Sequence, residues 1–375
     1  MPKRAFRWSL LLLMVLIPFT AAQADETAIF SSIAPDAMFM IDFSGSMGWN
    51  PPGDTSVSTY GDAICAGPFT TAGGSTDCKR LSIAKRAMFK LLDDNGDGKI
   101  DCYDIKSLNI RIGYMGFRGP EDTAVDPMAG NAIVRFPIGS DYHKMYCNAN
   151  TGCGTLSSYQ CSAWNSGYGA TLAMESAGGA TPLNGGLKEM KAYLDTHKAA
   201  DTAKSCRQKF VILLSDGSDT YSCSGTGDDK QADMYKRRRL SVKRAKELAD
   251  AGYKVFVIGF GQNMPDYLKN LLNWMAYYGG TDNPLAPNLG DTEAYDPTLN
   301  AECEVSPTNG TQCSGNGTDC YATSNDPGNI PLSGYAFISG NATELSLALR
   351  QATEFIREAN YSFSTASVAS SRSQD

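Results

Sequence analysis

The chain has 375 residues, of which 42% are hydrophobic and 10% aromatic, enough for a substantial core in one large or two ordinary domains. No region has the composition of a disordered protein. The formal net charge is −7, and an acidic chain is a poor candidate for binding nucleic acid or anionic lipid.

The first 24 residues have the pattern of a secretory signal peptide. Three basic residues precede an apolar run at 10–19, and small residues follow before Asp25. A retained membrane anchor is the alternative, but the run is short for a span. Cleavage would change the net charge from −7 to −10. No other apolar stretch could cross a membrane, so we expect an exported protein without a membrane span after signal cleavage.

All eleven cysteines follow the signal peptide, and most lie in polar, Gly-rich stretches. In an oxidising compartment they predict loops joined by disulfides, with the connectivity open and one thiol left over. There is no C-x-x-C motif, and the two histidines lie near no clustered thiols, which argues against redox, zinc and haem chemistry. The cysteines are Cys65, Cys78, Cys102, Cys147, Cys153, Cys161, Cys206, Cys223, Cys303, Cys313 and Cys320.

Hydrophobic periodicity predicts strands that alternate with helices along most of the chain. The predicted strands are 37–41, 108–117, 132–136, 210–214, 255–260 and 335–338. The predicted helices are 80–92, one with apolar positions at 183–194, 232–251, 265–278, and a final one after Asn341. This alternation predicts an α/β fold with a doubly wound, mostly parallel sheet.

Helix ends and charged faces add local expectations. Thr181 is expected to cap the helix that follows it, with Pro182 at the first helical position, and Asn341 with Glu344 resembles a capping box. On helix 80–92 we expect Lys85, Arg86 and Lys90 to face solvent. The basic run 236–239 is interpreted as a solvated helix face.

We predict one domain at 25–360 because no linker separates two cores. Three insertions are expected, at about 49–79, 137–170 and 280–333. Residues 361–375 are interpreted as a Ser-rich tail.

The first strand ends in a group of oxygen-bearing side chains. The apolar run 37–41 leads into Asp42, Ser44 and Ser46, a D-x-S-x-S pattern. In an open α/β sheet, ligands bind beyond the carboxyl ends of the strands. Hard oxygen ligands suit Mg²⁺, Mn²⁺ or Ca²⁺. Two more oxygen side chains are expected at the same edge: Thr181 in a Gly-rich turn before a helix, and Asp216 after an all-apolar strand.

This five-residue pattern resembles the metal-ion-dependent adhesion site of von Willebrand factor type A domains. The resemblance implies that Ser44, Ser46 and Thr181 bind the cation directly, and that Asp42 and Asp216 act largely through water. A vacant position would then accept a carboxylate from a partner. Each residue also has a local interpretation, as a helix cap, a loop former or a turn residue.

An enzyme is the alternative, because a strand that ends in Asp resembles phosphatases and mutases with an aspartyl nucleophile. Those enzymes need a second carboxylate two residues later as general acid. That position holds Ser44, so we expect no enzymatic activity and keep a metal-dependent phosphohydrolase as the alternative.

Residues 93–104, hereafter the acidic loop, fit the EF-hand pattern for Ca²⁺. Gly98 is at the sharp turn, and the twelfth place holds Asp104 instead of Glu. A short segment and a strand are expected to follow instead of a long second helix, so we expect a single structural Ca²⁺ loop. An acidic turn without metal is the alternative. The predicted ligands are Asp93, Asn95, Asp97, Lys99 through its carbonyl, Asp101 and Asp104.

From about residue 30 to residue 375, the chain is similar to the N-terminal region of type IV pilus tip-associated adhesins of the PilY family. The Cys-rich insertions and the ending, 333–375, are the parts that resemble this family in particular. In that family a large β-propeller follows, and functions tied to the propeller are not carried over. The resemblance implies an exported adhesion or assembly module located in the periplasm, at the outer membrane or at the pilus tip. Its partner would offer a carboxylate and would be a host or surface ligand or a minor pilin. A purely structural secreted domain is a further alternative.

Overall fold

The computed structural model describes residues 33–53, 78–98, 100–119, 134–146, 172–223, 234–299 and 326–371. The predicted signal peptide and large parts of the three predicted insertions lie outside these residues. Among the helices described, none combines the length and apolar character needed to cross a membrane.

The strands of the fold are β1 Asp36–Asp42, β2 Arg111–Phe117, β3 Val134–Gly139, β4 Lys209–Ser215, β5 Tyr253–Phe260, the separate pair β6 Leu289–Gly290 and β7 Leu332–Ser333, and β8 Phe337–Ser339. Six of them form the central sheet, with strand order β3-β2-β1-β4-β5-β8. All neighbouring strands of this sheet are parallel except β3, which pairs antiparallel with β2. This arrangement confirms the predicted doubly wound, mostly parallel sheet.

Helices cover both faces of the sheet because the central strands are apolar on both sides. The helices are α1 Arg80–Leu92, α2 Cys102–Leu108, α3 Leu183–Ala200, α4 Met234–Asp250, α5 Asp266–Tyr278 and α6 Ala342–Ser371. Phe39 and Ile41 of β1 pack in a core with α1 and α6, whereas Met38 and Met40 point to the opposite core, with α3, α4 and α5.

Several boundaries differ from those predicted. Leu108 ends α2 instead of beginning a strand. The third strand continues through Pro137 to Gly139, which is tolerated because β3 is an edge strand. The predicted tail is helical as far as Ser371, since no Gly or Pro follows Asn341 to end the helix. At its start, Glu344 N donates to Asn341 Oδ1 at 3.0 Å, as expected of a helix cap.

The prediction that three basic side chains of α1 face solvent is wrong for two of them. Lys90 is exposed, but Lys85 and Arg86 are buried. Lys85 Nζ donates to the carbonyl oxygens of Ala173, at 3.1 Å, and Glu175. A distant segment therefore covers this face of the helix and satisfies the lysine.

The basic run on α4 is also largely buried, against expectation. Arg237 and Arg238 have exposed fractions of 0% and 1%. Arg238 pairs with the buried Asp326 through Nε at 3.0 Å and Nη2 at 2.6 Å. Arg237 Nε donates to the Ser222 carbonyl at 2.6 Å. Loop segments that precede α4 and follow β6 supply these acceptors, which helical periodicity cannot reveal.

Candidate metal centre

The topology places a switch point between β1 and β4. β1 pairs with β2 on one side and β4 on the other, so the strand order reverses beside it. Such a switch point is where open α/β sheets bind ligands. Asp42 is the last residue of β1, and Asp216 follows the last residue of β4. The two carboxylates therefore lie at the same edge of the sheet, as the sequence predicts.

Hydrogen bonds join the side chains that follow β1 with those that follow β4. Ser44 Oγ lies 3.1 Å from Ser46 Oγ, and Ser46 Oγ donates to Asp216 Oδ1 at 2.8 Å. Asp42 Oδ1 accepts from the Ser44 amide at 2.8 Å, and its Oδ2 accepts from Ser215 Oγ at 2.7 Å. We call Asp42, Ser44, Ser46, Thr181 and Asp216 the switch-point cluster.

The Gly-rich turn before α3 is tied to the loop after β1. The Gly45 amide donates to the Gly179 carbonyl at 2.9 Å, and the Gly178 amide donates to the Phe43 carbonyl at 2.8 Å. Gly179 has a φ of +75°, and a Cβ there would collide with the Gly119 carbonyl oxygen. The close approach of these loops therefore requires glycine at this position.

Thr181 follows this turn, but it does not cap α3 as predicted. The N-cap of α3 is Pro182, and no side chain caps it locally. Thr181 is instead held by Thr220: its amide donates to Thr220 Oγ1 at 3.0 Å, and its carbonyl accepts from the Thr220 amide at 2.9 Å. Thr181 Oγ1 lies 3.8 Å from where a Cβ on Gly217 would stand. The hydroxyl thus faces the loop that carries Asp216.

Asp219, which sequence reasoning missed, provides the capping interaction for α3. Its Oδ2 accepts from the Asn184 amide at 2.7 Å, and its Oδ1 accepts from the amides of Tyr221 at 2.9 Å and Ser222 at 2.7 Å. The side chain is fully buried. One carboxylate therefore connects the start of α3 with the loop after β4.

Burial controls the charge of the two cluster carboxylates. Loss of hydration raises the pKa of Asp42 to about 7, and the nearby Asp216 adds to the rise, while hydrogen bonds from Ser44 and Ser215 oppose it. Burial also raises the pKa of Asp216, whereas Arg80 and the Ser46 hydroxyl lower it. A cation between these groups would favour both ionised forms.

Arg80 is a second residue that sequence reasoning missed. Its Nη1 lies 2.5 Å from Asp216 Oδ2, and its Nη2 donates to the Pro51 carbonyl at 3.1 Å. The sequence contained one signal for this residue. Helix α1 connects the parallel strands β1 and β2, so its first residue must lie at the edge of the sheet where β1 ends.

The donor set of the cluster fits a hard divalent cation. Its side chains offer only oxygen, and cis ligands of an octahedral Mg²⁺ at about 2.1 Å stand about 3.0 Å apart, close to the 3.1 Å between the two serine hydroxyls. Both oxygens of Asp42 and of Asp216 already accept hydrogen bonds from the protein. The hydroxyls are therefore the groups best suited to direct coordination.

The acidic loop has the turn of the predicted pattern without a cluster of carboxylates. Gly98 has a φ of +83°, as the sharp turn requires. Asp93 accepts from the amides of Asp97 at 3.0 Å and Gly98 at 2.8 Å. Asp104 accepts from the amides of Asn95 at 3.2 Å and Asp101 at 2.6 Å. Backbone amides thus hold the carboxylates that the prediction assigned to Ca²⁺.

Other features of the acidic loop bear on the Ca²⁺ prediction. Burial raises the pKa of Asp93 and of Asp104. Lys99 lies outside the described residues. Asp101 also accepts from the Tyr103 amide at 2.8 Å and forms a capping box at the start of α2. Within the described parts of the chain, no three His, Cys, Asp or Glu side chains are grouped to hold a metal ion.

The cysteines within the described residues are of two kinds. Cys206 has a free, exposed thiol. Cys78, Cys102 and Cys223 are disulfide-bonded. The connectivity of the predicted loop disulfides stays open.

No protein-family model and no curated protein matches the chain. Solved structures with similarity include the PilB minor pilin from Streptococcus sanguinis, at 12% identity and a TM-score of 0.42, covering 87% of this chain and 61% of the pilin. The pilus adhesin SpaC from Lactobacillus rhamnosus GG has 15% identity and a TM-score of 0.41, covering 86% and 30% of the two chains.

A third structure, the manganese-loaded TRAP protein of Plasmodium vivax, has 12% identity and a TM-score of 0.28, covering 64% of this chain and 63% of that protein. The chain spans about three fifths of the pilin's length. With TM-scores below 0.5, these likenesses carry no argument about function.

Proposed function

We propose that the chain is an exported, non-enzymatic adhesion or assembly module that captures a carboxylate of a protein partner through a divalent cation at the switch-point cluster. The observation that carries this proposal is the 2.8 Å hydrogen bond between Ser46 Oγ and Asp216 Oδ1, which brings together two proposed ligand residues that are 170 residues apart in the sequence. It supports a single oxygen-lined site, in which Ser46 is the partly exposed hydroxyl and Ser44 and Thr181 are buried.

The proposed cation is Mg²⁺ or Mn²⁺, with Ca²⁺ as the alternative. Hydroxyls would be its direct protein ligands, and Asp42 and Asp216 would act through bound water. A first coordination shell poor in charge leaves the cation attractive to an external carboxylate. Binding of the partner would accordingly be lost on chelation.

The proposed association with type IV pili rests on the sequence similarity of the Cys-rich insertions and of the ending, 333–375, to pilus tip adhesins. A minor pilin or a ligand on a host or other surface would provide the carboxylate. The acidic loop is proposed to bind a structural Ca²⁺, since the Gly98 turn supports that fold of the loop.

An enzymatic role has less support. Asp42 accepts a hydrogen bond at each carboxylate oxygen, and these bonds withdraw electron density and make the carboxylate a weaker nucleophile. Ser44 stands where a general acid would be required. A phosphatase assay of the purified protein with Mg²⁺ separates the two functions, and turnover that depends on Asp42 would favour the phosphohydrolase.

The decisive variant is the double substitution Asp42→Ala with Ser44→Ala in the full exported chain. We expect it to abolish binding of one Mn²⁺ in titration calorimetry, together with EDTA-sensitive binding to piliated cells. The matched control is Asp266→Ala with Ser333→Ala, which removes the same groups from exposed positions. Unchanged Mn²⁺ stoichiometry and EDTA sensitivity in the double variant would contradict the proposal.

A further inference from the structure

Arg80 places a permanent positive charge inside the candidate cation site. Its side chain is only 10% exposed, and its guanidinium is fixed between Asp216 Oδ2, at 2.5 Å, and the Pro51 carbonyl, at 3.1 Å. Its backbone amide donates to the Trp49 carbonyl at 2.8 Å. Arg80 is thereby attached to the loop after β1 and to the carboxylate after β4.

The arginine changes the charge of the site. Among the described residues, it is the cationic side chain that pairs with a carboxylate of the switch-point cluster. When Asp42 and Asp216 are ionised, these two residues and Arg80 carry a net charge of −1. A bound divalent cation makes the total +1, whereas without Arg80 the loaded site would be neutral. A positive site shielded from water attracts an anion more strongly than a neutral one.

The same charge has an opposite effect on the cation. Arg80 repels any metal ion bound beside Asp216, and its hydrogen bond keeps Asp216 Oδ2 from turning towards the metal. The arginine thus weakens the hold of the site on the cation and leaves the cation more attractive to an outside ligand.

We propose that Arg80 is a positioning residue that strengthens the binding of an anionic ligand, such as a carboxylate, to the cation-loaded site, at the expense of cation affinity. This inference rests on the proposed function, because it requires a cation at the switch-point cluster. It predicts that removal of the Arg80 charge raises the affinity of the site for the cation and lowers the affinity of the loaded site for a carboxylate. A merely structural role would weaken both affinities together.

The test compares Arg80→Gln with Arg80→Lys in an Asp97→Ala background, which removes a ligand place from the acidic loop. Free Mn²⁺ is measured by electron paramagnetic resonance, and acetate binding to the Mn²⁺-loaded protein by water-proton relaxation. We expect Arg80→Gln to bind Mn²⁺ about tenfold more tightly and acetate about tenfold more weakly. Arg80→Lys, which keeps the charge, should stay within about threefold of the parent in both.

Each outcome decides a separate question. If Arg80→Gln weakens both affinities or changes neither, the inference is overturned, while Mn²⁺ binding that is lost in Asp42→Ala with Ser44→Ala still supports the proposed function. If the parent binds no Mn²⁺ at the cluster, both proposals fail. If Arg80→Gln does not fold, Arg80→Lys decides alone, because a tenfold loss of either affinity despite the retained charge contradicts the inference.

Discussion

The switch-point cluster and the acidic loop are two candidate cation sites built in opposite ways. Three loops, far apart in sequence, supply the cluster, and both of its carboxylates are buried. The acidic loop takes all its candidate ligands from 93–104, and its tip, Asp94–Gly98, is exposed. A site of the first kind depends on the whole sheet, whereas one of the second kind depends mainly on local turn geometry. Loss of a connection between loops should therefore affect the two sites unequally.

The largest effect is expected from Asp219→Ala, which breaks the connection between the start of α3 and the loop after β4. Three backbone amides lose their buried acceptor, so we expect the free energy of unfolding to fall by about 3 kcal/mol. Mn²⁺ binding at the cluster should weaken strongly, while the response of the acidic loop to Ca²⁺ should persist in the folded fraction. Urea unfolding and calorimetry measure these effects.

The control is Asp266→Ala, which removes a carboxylate whose side chain is 92% exposed. This control should leave the free energy of unfolding and the Mn²⁺ affinity of the cluster within error of the parent values. An Asp219→Ala protein as stable as the parent would show that the two loops hold their positions without this carboxylate.

The next effect is the dependence of cation binding on pH. Because the pKa of Asp42 is about 7 in the absence of metal, a cation must displace a proton below that pH, and its affinity should be about a hundredfold weaker at pH 5 than at pH 8. In EDTA, where no cation is bound, the free energy of unfolding should change with pH in the opposite direction. Protonated Asp42 stabilises the fold below about pH 4, and this contribution is lost as the pH rises through about 7. Calorimetry and thermal unfolding measure the two trends.

A cation affinity that is flat from pH 5 to pH 8 would mean that Asp42 is ionised throughout. The Asp42→Asn variant is the matched comparison, since it has no proton to release and should show little dependence on pH over this range.

The smallest effect concerns the acidic loop. Excess Ca²⁺, at about a hundred times its dissociation constant, should stabilise the protein by about 2.7 kcal/mol and raise the melting temperature by roughly 5 °C. Asp97→Ala should remove this rise without changing Mn²⁺ affinity at the cluster. Asp94→Ala serves as the control, because it takes the same charge from a place in the loop that binds no metal in the EF-hand pattern. A parent protein without the rise would contradict the Ca²⁺ prediction.

Much of the scaffold of the cluster could be predicted from local sequence. An unbroken apolar run is typical of a strand buried on both faces, and that pattern located β1 and β4 together with the residues that end them. Thr181 precedes α3, as predicted, but it does not form the helix cap that was expected of it. These predictions needed only neighbouring residues and the rule that parallel strands present their carboxyl ends at one edge.

The remaining features depend on contacts that no local pattern encodes. Arg80 meets its partner across 136 residues, and Thr220 bonds to Thr181 across 39. Lys85 and Arg237 are buried because distant loops cover their helices, so helical periodicity alone assigns their side chains to solvent. For Lys85 and Arg237 the misleading signal was a charge whose partner lies on another element.

The long sequence separations within the cluster also have a consequence for folding. Asp42 and Ser215 are 173 residues apart, so their hydrogen bond forms only after a large loop has closed. Such contacts are slow to form and entropically unfavourable until the sheet between them is complete. A cation that binds here would recognise only the finished sheet, and its binding would report how much of the protein has reached the native state.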